Sequence, residues 1–275
     1  MIEFIKAIIL GILQGITEWL PISSTAHLIL LNDIIKLNVG DEFWKLFLVV
    51  IQLGSILAVV VLYFNMLNPF AKNKSADEKT SSYRLWFMIF IASLPLIIAA
   101  LLDDYISESP LVIAATLIIY GVLFIVVEKH NKTTTPKINS VGAIDMKTAF
   151  LIGIFQLLAV IPGTSRSGAT IIGALILGVS RLAATEFSFF LAIPAMFGAS
   201  GLKLLKFILS TGLTFNGNEF FILILATVVS FVVSIVAIKH LLQYIRRNDF
   251  TAFGYYRIGL GILILAVAGL KLIFV

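Results

Sequence analysis

Six long runs of apolar residues restrict this chain to a fold that crosses a membrane several times. A helix needs roughly 20 apolar residues to cross the hydrocarbon core of a bilayer. The chain is 60% hydrophobic and only 13% charged, whereas soluble domains average about 25% charged residues. The sequence therefore predicts an integral membrane protein. The six predicted transmembrane spans lie at about 46–64, 85–102, 110–127, 187–209, 219–238 and 254–275.

The connectors between these runs predict how the spans are oriented. Connectors 72–84, 129–147 and 239–247 each contain several Lys or Arg residues, whereas 103–108 and 212–219 contain none. Short loops rich in Lys and Arg stay on the cytoplasmic side, so the six spans alternate without conflict. Membrane orientation thus explains the net charge of +5, and we expect no nucleic acid partner. The absence of cysteine excludes a disulfide framework and a thiolate metal site.

Two short polar segments, 14–27 and 162–170, interrupt the apolar sequence. With the basic loops inside and the N-terminus outside, each segment must leave the membrane on the side from which it entered. Proline with glycine or serine lies near the centre of each segment, where a helix breaks. Broken backbone at membrane depth is tolerated only inside protein or beside a wet cavity. We therefore expect two re-entrant helical hairpins.

The predicted fold is an all-α polytopic membrane protein with six transmembrane helices and two re-entrant hairpins. Each hairpin precedes three spans, and the two halves run in opposite orientations. This pattern predicts a single membrane domain, 1–275, built from inverted pseudo-repeats at about 1–130 and 148–275. Inverted repeats of this kind place their site near the bilayer midplane, between the halves.

The second polar segment favours the binding of an oxyanion. Arg166 lies among the hydroxyl groups of Thr164, Ser165, Ser167 and Thr170. Arginine binds phosphate through a planar, bidentate fork. A helix that begins near Ser167 would direct its free N–H groups to the same place. The alternative is that the hydroxyls only satisfy the broken backbone, while Arg166 extends to the membrane interface.

The first polar segment adds groups that anion binding alone does not need. Glu18 is suited to act as a general base or metal ligand, and His27 as an acid–base group or nucleophile. Ser24 lies three residues before His27, so the two share a face if the segment is helical there. Gln14 lies one helical turn before Glu18. With Arg166, these residues form a set suited to phosphoryl transfer, although His27 alone also fits a hydrogen-bonded interfacial histidine.

The two segments resemble the undecaprenyl-diphosphate phosphatase family, also called bacitracin-resistance proteins. The first family motif, (Glu/Gln)-x-x-x-Glu followed by Leu-Pro-x-Ser-Ser-x-x-His, matches residues 14–27. The second, Pro-Gly-x-Ser-Arg-Ser-x-x-Thr, matches residues 162–170. Gln14 stands where many relatives have Glu, and Ala26 stands where Gly is frequent. The resemblance extends over essentially the whole chain.

The resemblance implies hydrolysis of undecaprenyl diphosphate to undecaprenyl phosphate and orthophosphate, which recycles the lipid carrier for cell-wall polymers and confers bacitracin resistance. It also implies a divalent cation, Mg²⁺ or Ca²⁺, with Glu18 as its ligand. The implied location is the bacterial plasma membrane, with the active site open to the outer face. The expected partners are the polyprenyl diphosphate and membrane lipid. The expected catalytic residues are Glu18, Ser24, His27 and Arg166, and the expected substrate-binding residues are Gln14, Thr25, Ser165, Ser167 and Thr170.

The sequence leaves several alternatives open. The nucleophile is Ser24, His27 or water. A transporter is the chief rival function, because inverted repeats with broken helices are typical of transporters. Carriage of an anion needs neither a nucleophile nor a nearby carboxylate, so Glu18 favours an enzyme. A purely structural membrane protein would leave both polar segments unexplained. The last span has glycines suited either to packing within one chain or to a homodimer seam: Gly254, Gly259, Gly261 and Gly269.

Overall fold

A computed structural model describes residues 1–98, 109–212, 215 and 217–274. These residues are mainly helical, and the isolated parallel bridge between Ile138 and Val179 is the one β pairing among them. The prediction of an all-α protein is confirmed for this part of the chain. Its helices are α1 (Ile2–Thr17), α2 (Ser24–Ile35), α3 (Asp41–Leu62), α4 (Phe64–Leu67), α5 (Ala76–Ser93), α6 (Pro110–Asn131), α7 (Met146–Leu157), α8 (Arg166–Ile176), α9 (Arg181–Thr211), α10 (Glu219–Ile245) and α11 (Thr251–Phe274).

Five helices of the described chain are long and apolar enough to cross a membrane: α3, α6, α9, α10 and α11. They overlap five of the six predicted spans, so the protein is a polytopic membrane protein. The predicted span 85–102 begins within α5, but its last residues and the acidic connector 103–108 lie outside the described residues. The spans also present apolar side chains outward. Val228, Val232 and Val236 follow one another at helical spacing on α10 and are half exposed, as expected of a face toward lipid.

The two polar segments interrupt the helical pattern as predicted. The chain leaves α1 after Thr17 and starts α2 at Ser24, and it leaves α7 through a 3-10 turn at Leu158–Val160 before α8. Ser23 and Ser165, the residues just before α2 and α8, have φ of 72° and 70°. A positive φ is uncommon for a residue other than glycine. The same unusual conformation therefore precedes the second helix of each pair.

Each pair of short helices begins and ends at the same end of the molecule. Lys6 Nζ near the start of α1 donates to the carbonyl oxygen of Lys36 after α2, at 2.8 Å. In the second pair, the backbone N–H of Lys137, which precedes α7, donates to the carbonyl oxygen of Gly178 after α8, also at 2.8 Å. Both segments are therefore hairpins. The break between the two helices of each hairpin lies at the opposite end from these contacts.

Each hairpin packs its first helix against a long helix from the other half of the chain. Helix α1 lies along α10, and α7 lies along α5. These contacts are close because glycines lie at the crossings. A Cβ atom on Gly15 would lie 2.8 Å from the Ser230 carbonyl oxygen, and one on Gly153 would lie 2.2 Å from that of Ala92. The two halves are thus interleaved, which brings both breaks into the interior.

Helices α6 and α11 form a second close contact between the halves. A Cβ atom on Gly121 would lie 2.7 Å from the Gly254 carbonyl oxygen, and one on Gly261 would lie 2.8 Å from that of Ala114. Gly254 and Gly261 therefore serve packing within one chain, which was one of the two alternatives for these glycines. A Cβ atom on Gly259 would meet nothing within 4 Å.

The N-terminus of α7 is capped by an acidic side chain outside the membrane-spanning helices. Asp145 Oδ1 accepts a hydrogen bond from the backbone N–H of Thr148 at 2.7 Å. The side-chain and backbone hydrogen bonds with Thr148 hold the pKa of the Asp145 carboxyl below its ordinary value. A carboxylate here also interacts favourably with the positive end of the helix dipole, which explains why the second hairpin begins at this residue.

Candidate active site

The carboxylate of Glu18 joins the two polar segments. Its Oε1 accepts a hydrogen bond from Arg166 Nη2 at 2.9 Å, which also makes an ion pair. Its Oε2 accepts from Ser24 Oγ at 2.6 Å and from Gln14 Nε2 at 2.9 Å. Glu18 is only 6% exposed, so water competes little for these contacts. Three residues that the sequence predicted for the site therefore lie around the carboxylate of a fourth.

The breaks in the two hairpins explain why these groups meet. Glu18 follows the last residue of α1, Ser24 is the first residue of α2, and Arg166 is the first residue of α8. Glu18 thus contacts the side chain of the first residue of both α2 and α8. Free backbone N–H groups and the helix dipole make a helix N-terminus favourable for anions. The Glu18 carboxylate lies between these two termini.

Arg166 is held on both sides of its guanidinium group. Nη1 donates to the carbonyl oxygen of Ser188 on α9 at 2.9 Å, and Nη2 donates to Glu18. The Arg166 side chain is 14% exposed, and its guanidinium group is bound by protein acceptors in the interior. These contacts favour the binding role over the alternative in which Arg166 extends to the membrane interface. Ser188 lies in a segment, 186–189, that also resembles the family, but its contact with Arg166 was not predicted, because no local pattern indicates a contact with a residue 22 positions away.

The hydroxyls of the second segment divide into two groups. Ser165 Oγ accepts from the backbone N–H of Gly168 at 3.2 Å and so caps α8. Ser165 Oγ also lies 3.2 Å from Ser167 Oγ. Thr170 is fully buried, and its Oγ1 lies 2.6 Å from Ser188 Oγ and 3.0 Å from the Arg166 carbonyl oxygen. Thr170 therefore supports the first turn of α8 from within the protein, whereas Ser165 is partly accessible at its start.

His27 does not contact Ser24. Its Nδ1 lies 2.7 Å from the Ser23 carbonyl oxygen, and its Nε2 lies 2.6 Å from the hydroxyl oxygen of Tyr256. A carbonyl oxygen can only accept, so Nδ1 has the proton and Nε2 accepts from the tyrosine hydroxyl. The Tyr256 ring stacks on the imidazole, with centroids 5.6 Å apart. The Ser24–His27 pairing that their spacing allowed is therefore not formed, and the Ser24 hydroxyl instead donates to the Glu18 carboxylate.

Thr25 lies in the first turn of α2, next to Ser24, and is half-buried. Its substrate-binding role stays a prediction, based on this position beside the helix N-terminus.

Comparison with known proteins now adds to this geometry. The family described as "Bacitracin resistance protein BacA" matches residues 7–263, which include both polar segments. The chain belongs to this family. A relative from Enterococcus faecalis that is named undecaprenyl-diphosphatase is 53% identical over 264 residues, covering 94% of this chain and 95% of the relative. Relatives with the same name from Desulfitobacterium hafniense and Acetivibrio thermocellus are 53% and 54% identical over 270 and 268 residues. These two alignments cover 96% of this chain, and 96% and 97% of the relatives.

In this member of the bacitracin-resistance protein family, α11 adds two residues that the sequence analysis missed. Tyr256 contacts His27, and Arg257 is fully buried and donates hydrogen bonds to carbonyl oxygens of both hairpin breaks. A signal was present, because an arginine inside an apolar span indicates a functional position by default.

The side-chain oxygen atoms of Glu18 and Gln14 are suitable ligands for a hard divalent cation. Gln14 Oε1 is buried and has no hydrogen-bond partner, while Gln14 Nε2 donates to Glu18. Mg²⁺ and Ca²⁺ prefer oxygen ligands, and Mg²⁺ commonly uses one or two carboxylates together with substrate phosphates. No group of three or more His, Cys, Asp or Glu residues with metal-site geometry exists among the described residues. A cation here would therefore depend on substrate oxygens to complete its coordination.

Proposed function

We propose that this chain hydrolyses undecaprenyl diphosphate to undecaprenyl phosphate and orthophosphate, recycling the lipid carrier for cell-wall synthesis and conferring bacitracin resistance. The observation that supports this most is the carboxylate of Glu18, which contacts Ser24 and Arg166 at once. A base, a hydroxyl nucleophile and a charge-stabilising guanidinium thus lie together at two helix N-termini. Relatives at 53% identity over most of the chain have the name of this activity.

In the proposed reaction the diphosphate binds at the N-termini of α2 and α8, and the prenyl chain stays in lipid. Ser24 Oγ attacks the terminal phosphorus as its proton passes to Glu18 Oε2, 2.6 Å away. The bond from that phosphorus to the bridging oxygen breaks, and undecaprenyl phosphate leaves. Water then attacks the phosphoserine as the departing serine oxygen takes the proton back from Glu18. This step releases orthophosphate and restores both the serine hydroxyl and the Glu18 carboxylate. Arg166 stabilises the negative charge that develops on the transferred group.

Two variants of this step differ in the nucleophile. His27 Nε2 has a free lone pair only when Tyr256 turns its hydroxyl away, so the observed contact disfavours attack by His27. Direct attack by water would use Glu18 as its base, with Ser24 as a ligand of the phosphate. The short Ser24–Glu18 contact favours the serine.

The proposed cofactor is Mg²⁺ or Ca²⁺, held by a Glu18 oxygen and by Gln14 Oε1. The cation would neutralise charge on the diphosphate as the terminal phosphoryl group is transferred. The orphaned Gln14 Oε1 supports this assignment.

The proposed membrane arrangement is six spans with two re-entrant hairpins, one entering from each face of the bacterial plasma membrane. Helix α1 of the first half packs on α10 of the second half, and α7 of the second half packs on α5 of the first. This reciprocal packing supports inverted repeats at about 1–130 and 148–275. The matching conformations of Ser23 and Ser165 agree with that relation. With the basic connectors inside, the first hairpin enters from the outer face, and the active site opens to that side.

The test is phosphate release from a long-chain prenyl diphosphate by the purified full chain in detergent, with Mg²⁺, Ca²⁺ or EDTA. Glu18→Ala and Arg166→Ala are compared with Glu42→Ala and Arg84→Ala, which remove the same charges from exposed positions. Metal-dependent release that is lost only in the first pair supports the proposal. Release that persists in the first pair contradicts the assigned site. A folded wild type that binds the lipid without releasing phosphate would favour a carrier instead.

A further inference from the structure

Arg257 on α11 links the breaks of the two hairpins. Its Nη1 donates to the Pro21 carbonyl oxygen at 2.9 Å, and its Nη2 donates to those of Gly163 and Thr164, both at 2.9 Å. The planar fork of arginine can make these contacts in fixed relative directions, which a lysine ammonium cannot do. One side chain therefore sets the distance between two loops that are far apart in sequence.

The burial of Arg257 indicates that these contacts matter to the protein. The residue is 0% exposed, and no carboxylate lies within ion-pair distance of it in the described chain. Its guanidinium carbon lies 5.5 Å from the centre of the Tyr120 ring, and its Nε has no hydrogen-bond partner. A buried charge without a counter-ion is costly. The loop carbonyls and the ring face are its compensation here.

Thr116 on α6 makes the corresponding contact with the second break. Its Oγ1 lies 2.6 Å from the Pro162 carbonyl oxygen, closer than the 2.9 Å and 3.0 Å to the Val112 and Ile113 carbonyl oxygens of its own helix, so Pro162 is the preferred acceptor of its one proton. Thr116 and Arg257 both lie in the second turn of their helices, and each holds the carbonyl of the proline in one break. A Cβ atom on Gly163 would lie 2.2 Å from Thr116 Oγ1, so the backbone of this loop packs directly against the threonine side chain.

Both anchoring residues belong to one tightly packed helix pair. Helices α6 and α11 approach closely at Gly121 and Gly254 and again at Ala114 and Gly261. A displacement of one loop relative to the other would therefore have to break these hydrogen bonds or move the helix pair. The first turn of α8 also lies against this pair, because a Cβ atom on Gly168 would be 3.3 Å from Arg257 Nη1.

We infer that Arg257 and Thr116 are positioning residues for the phosphatase site. Through the loop carbonyls they keep the N-termini of α2 and α8 aligned, so that Ser24, Glu18 and Arg166 hold their mutual geometry. Neither residue needs to touch the substrate. This inference rests on the proposed function of the same site, and it assigns to the α6–α11 pair a role beyond membrane anchoring.

The experiment compares four variants of the full chain in detergent: Arg257→Lys, Arg257→Gln, Thr116→Val and Thr116→Ser. Hydrolysis of a long-chain prenyl diphosphate gives kcat and KM, and orthovanadate, which resembles the transferred phosphoryl group, gives a binding constant from its effect on Tm. A misplacement of about 1 Å in an active site costs about 10²-fold in rate. Both Arg257 variants should therefore lose about that factor in kcat, with KM changed much less. Orthovanadate binding should weaken with kcat, since transition-state analogues report on the aligned site.

The threonine pair and a distant arginine provide the controls. Thr116→Val keeps the shape and removes the hydroxyl, so kcat should fall about tenfold, the equivalent of one hydrogen bond at 1.4 kcal/mol. Thr116→Ser keeps the donor and should restore kcat. Arg181→Gln removes an arginine whose partner is Glu128, away from both breaks. It should lower Tm and leave kcat unchanged.

Different results would reject different claims. An Arg257→Lys protein with wild-type kcat, or a Thr116→Val protein equal to Thr116→Ser, would overturn the positioning role. If neither Arg257 variant folds, the threonine pair decides. A wild type that fails to hydrolyse the lipid would count against the proposed function, and orthovanadate binding by the variants would still decide whether the loops depend on these residues.

Discussion

At the scale of single residues, Glu18 determines what the site can do. One carboxylate accepts hydrogen bonds from an amide, a hydroxyl and a guanidinium. Removing it leaves Arg166 as a charge in a largely buried site whose remaining observed acceptor is a backbone carbonyl. Loss of one partner from such a pair costs more than the pair itself contributes. Variants that keep the shape of Glu18 are therefore the most informative.

Glu18→Gln keeps the size of the side chain and removes the proposed base. We expect kcat to fall by about 10²–10⁴-fold, the range for loss of a positioned general base. The kcat of Ser24→Ala should fall by a comparable factor, because both changes disable the same proton transfer. Phosphate release at saturating substrate measures both, with Tm as the check on folding. A Glu18→Gln protein within a few-fold of wild-type kcat would exclude Glu18 as the base.

Gln14→Glu tests the proposed metal ligands. The change gives the site a second carboxylate one turn from Glu18 and removes the amide donor to it. Two adjacent carboxylates repel one another unless a cation lies between them. We expect a lower Tm in EDTA, recovery of Tm with Mg²⁺ or Ca²⁺, and half-maximal activity at a lower metal concentration than in the wild type. An unchanged Tm response to the metal would place the cation away from Gln14.

At the scale of elements, the positions of the two helix breaks were predictable from the sequence, but the contacts that the residues of these breaks make were not. Pro21 and Pro162 interrupt helices in the sequence as they do in the structure, because proline ends a helix by local sterics. The Ser24–His27 contact was expected from spacing within one helix. The structure instead pairs Ser24 with Glu18 across the break, a contact set by loop geometry. Arg257 lies about 90 residues beyond the second segment, and only the packed fold brings it there.

Gly163→Ala tests the second break as a unit. Gly163 has φ of 86°, and a Cβ atom there would lie 2.2 Å from Thr116 Oγ1. Both the left-handed backbone and the contact oppose a methyl group, so the loop should move away from its anchor. We expect a lower Tm and a large loss of kcat. Gly142→Ala is the matched control, because a Cβ atom there meets nothing within 4 Å, and it should behave as the wild type.

At the scale of the whole molecule, the two halves of the chain pack into one another. The orientation of each hairpin in the membrane therefore also determines how the site is assembled. Each hairpin returns to the end from which it started, through the contacts of Lys6 with Lys36 and of Lys137 with Gly178. Neither hairpin makes a net crossing if its breaks lie within the membrane. The sides of the flanking loops then determine the face from which each half of the site enters.

The chain contains no cysteine, so single cysteines report the side of each loop without background. We expect Asn38→Cys and Asn218→Cys to react with a membrane-impermeant maleimide in intact cells stripped of their wall. Lys147→Cys and Arg247→Cys should react only after permeabilisation, since basic connectors stay inside. All four positions are exposed. Among the described residues between Lys147 and Asn218, α9 is the one long span. Labelling on opposite sides therefore requires that α7 and α8 together make no net crossing. Labelling of Lys147 and Asn218 from the same side would instead make the second hairpin a true crossing and would reject the inverted arrangement.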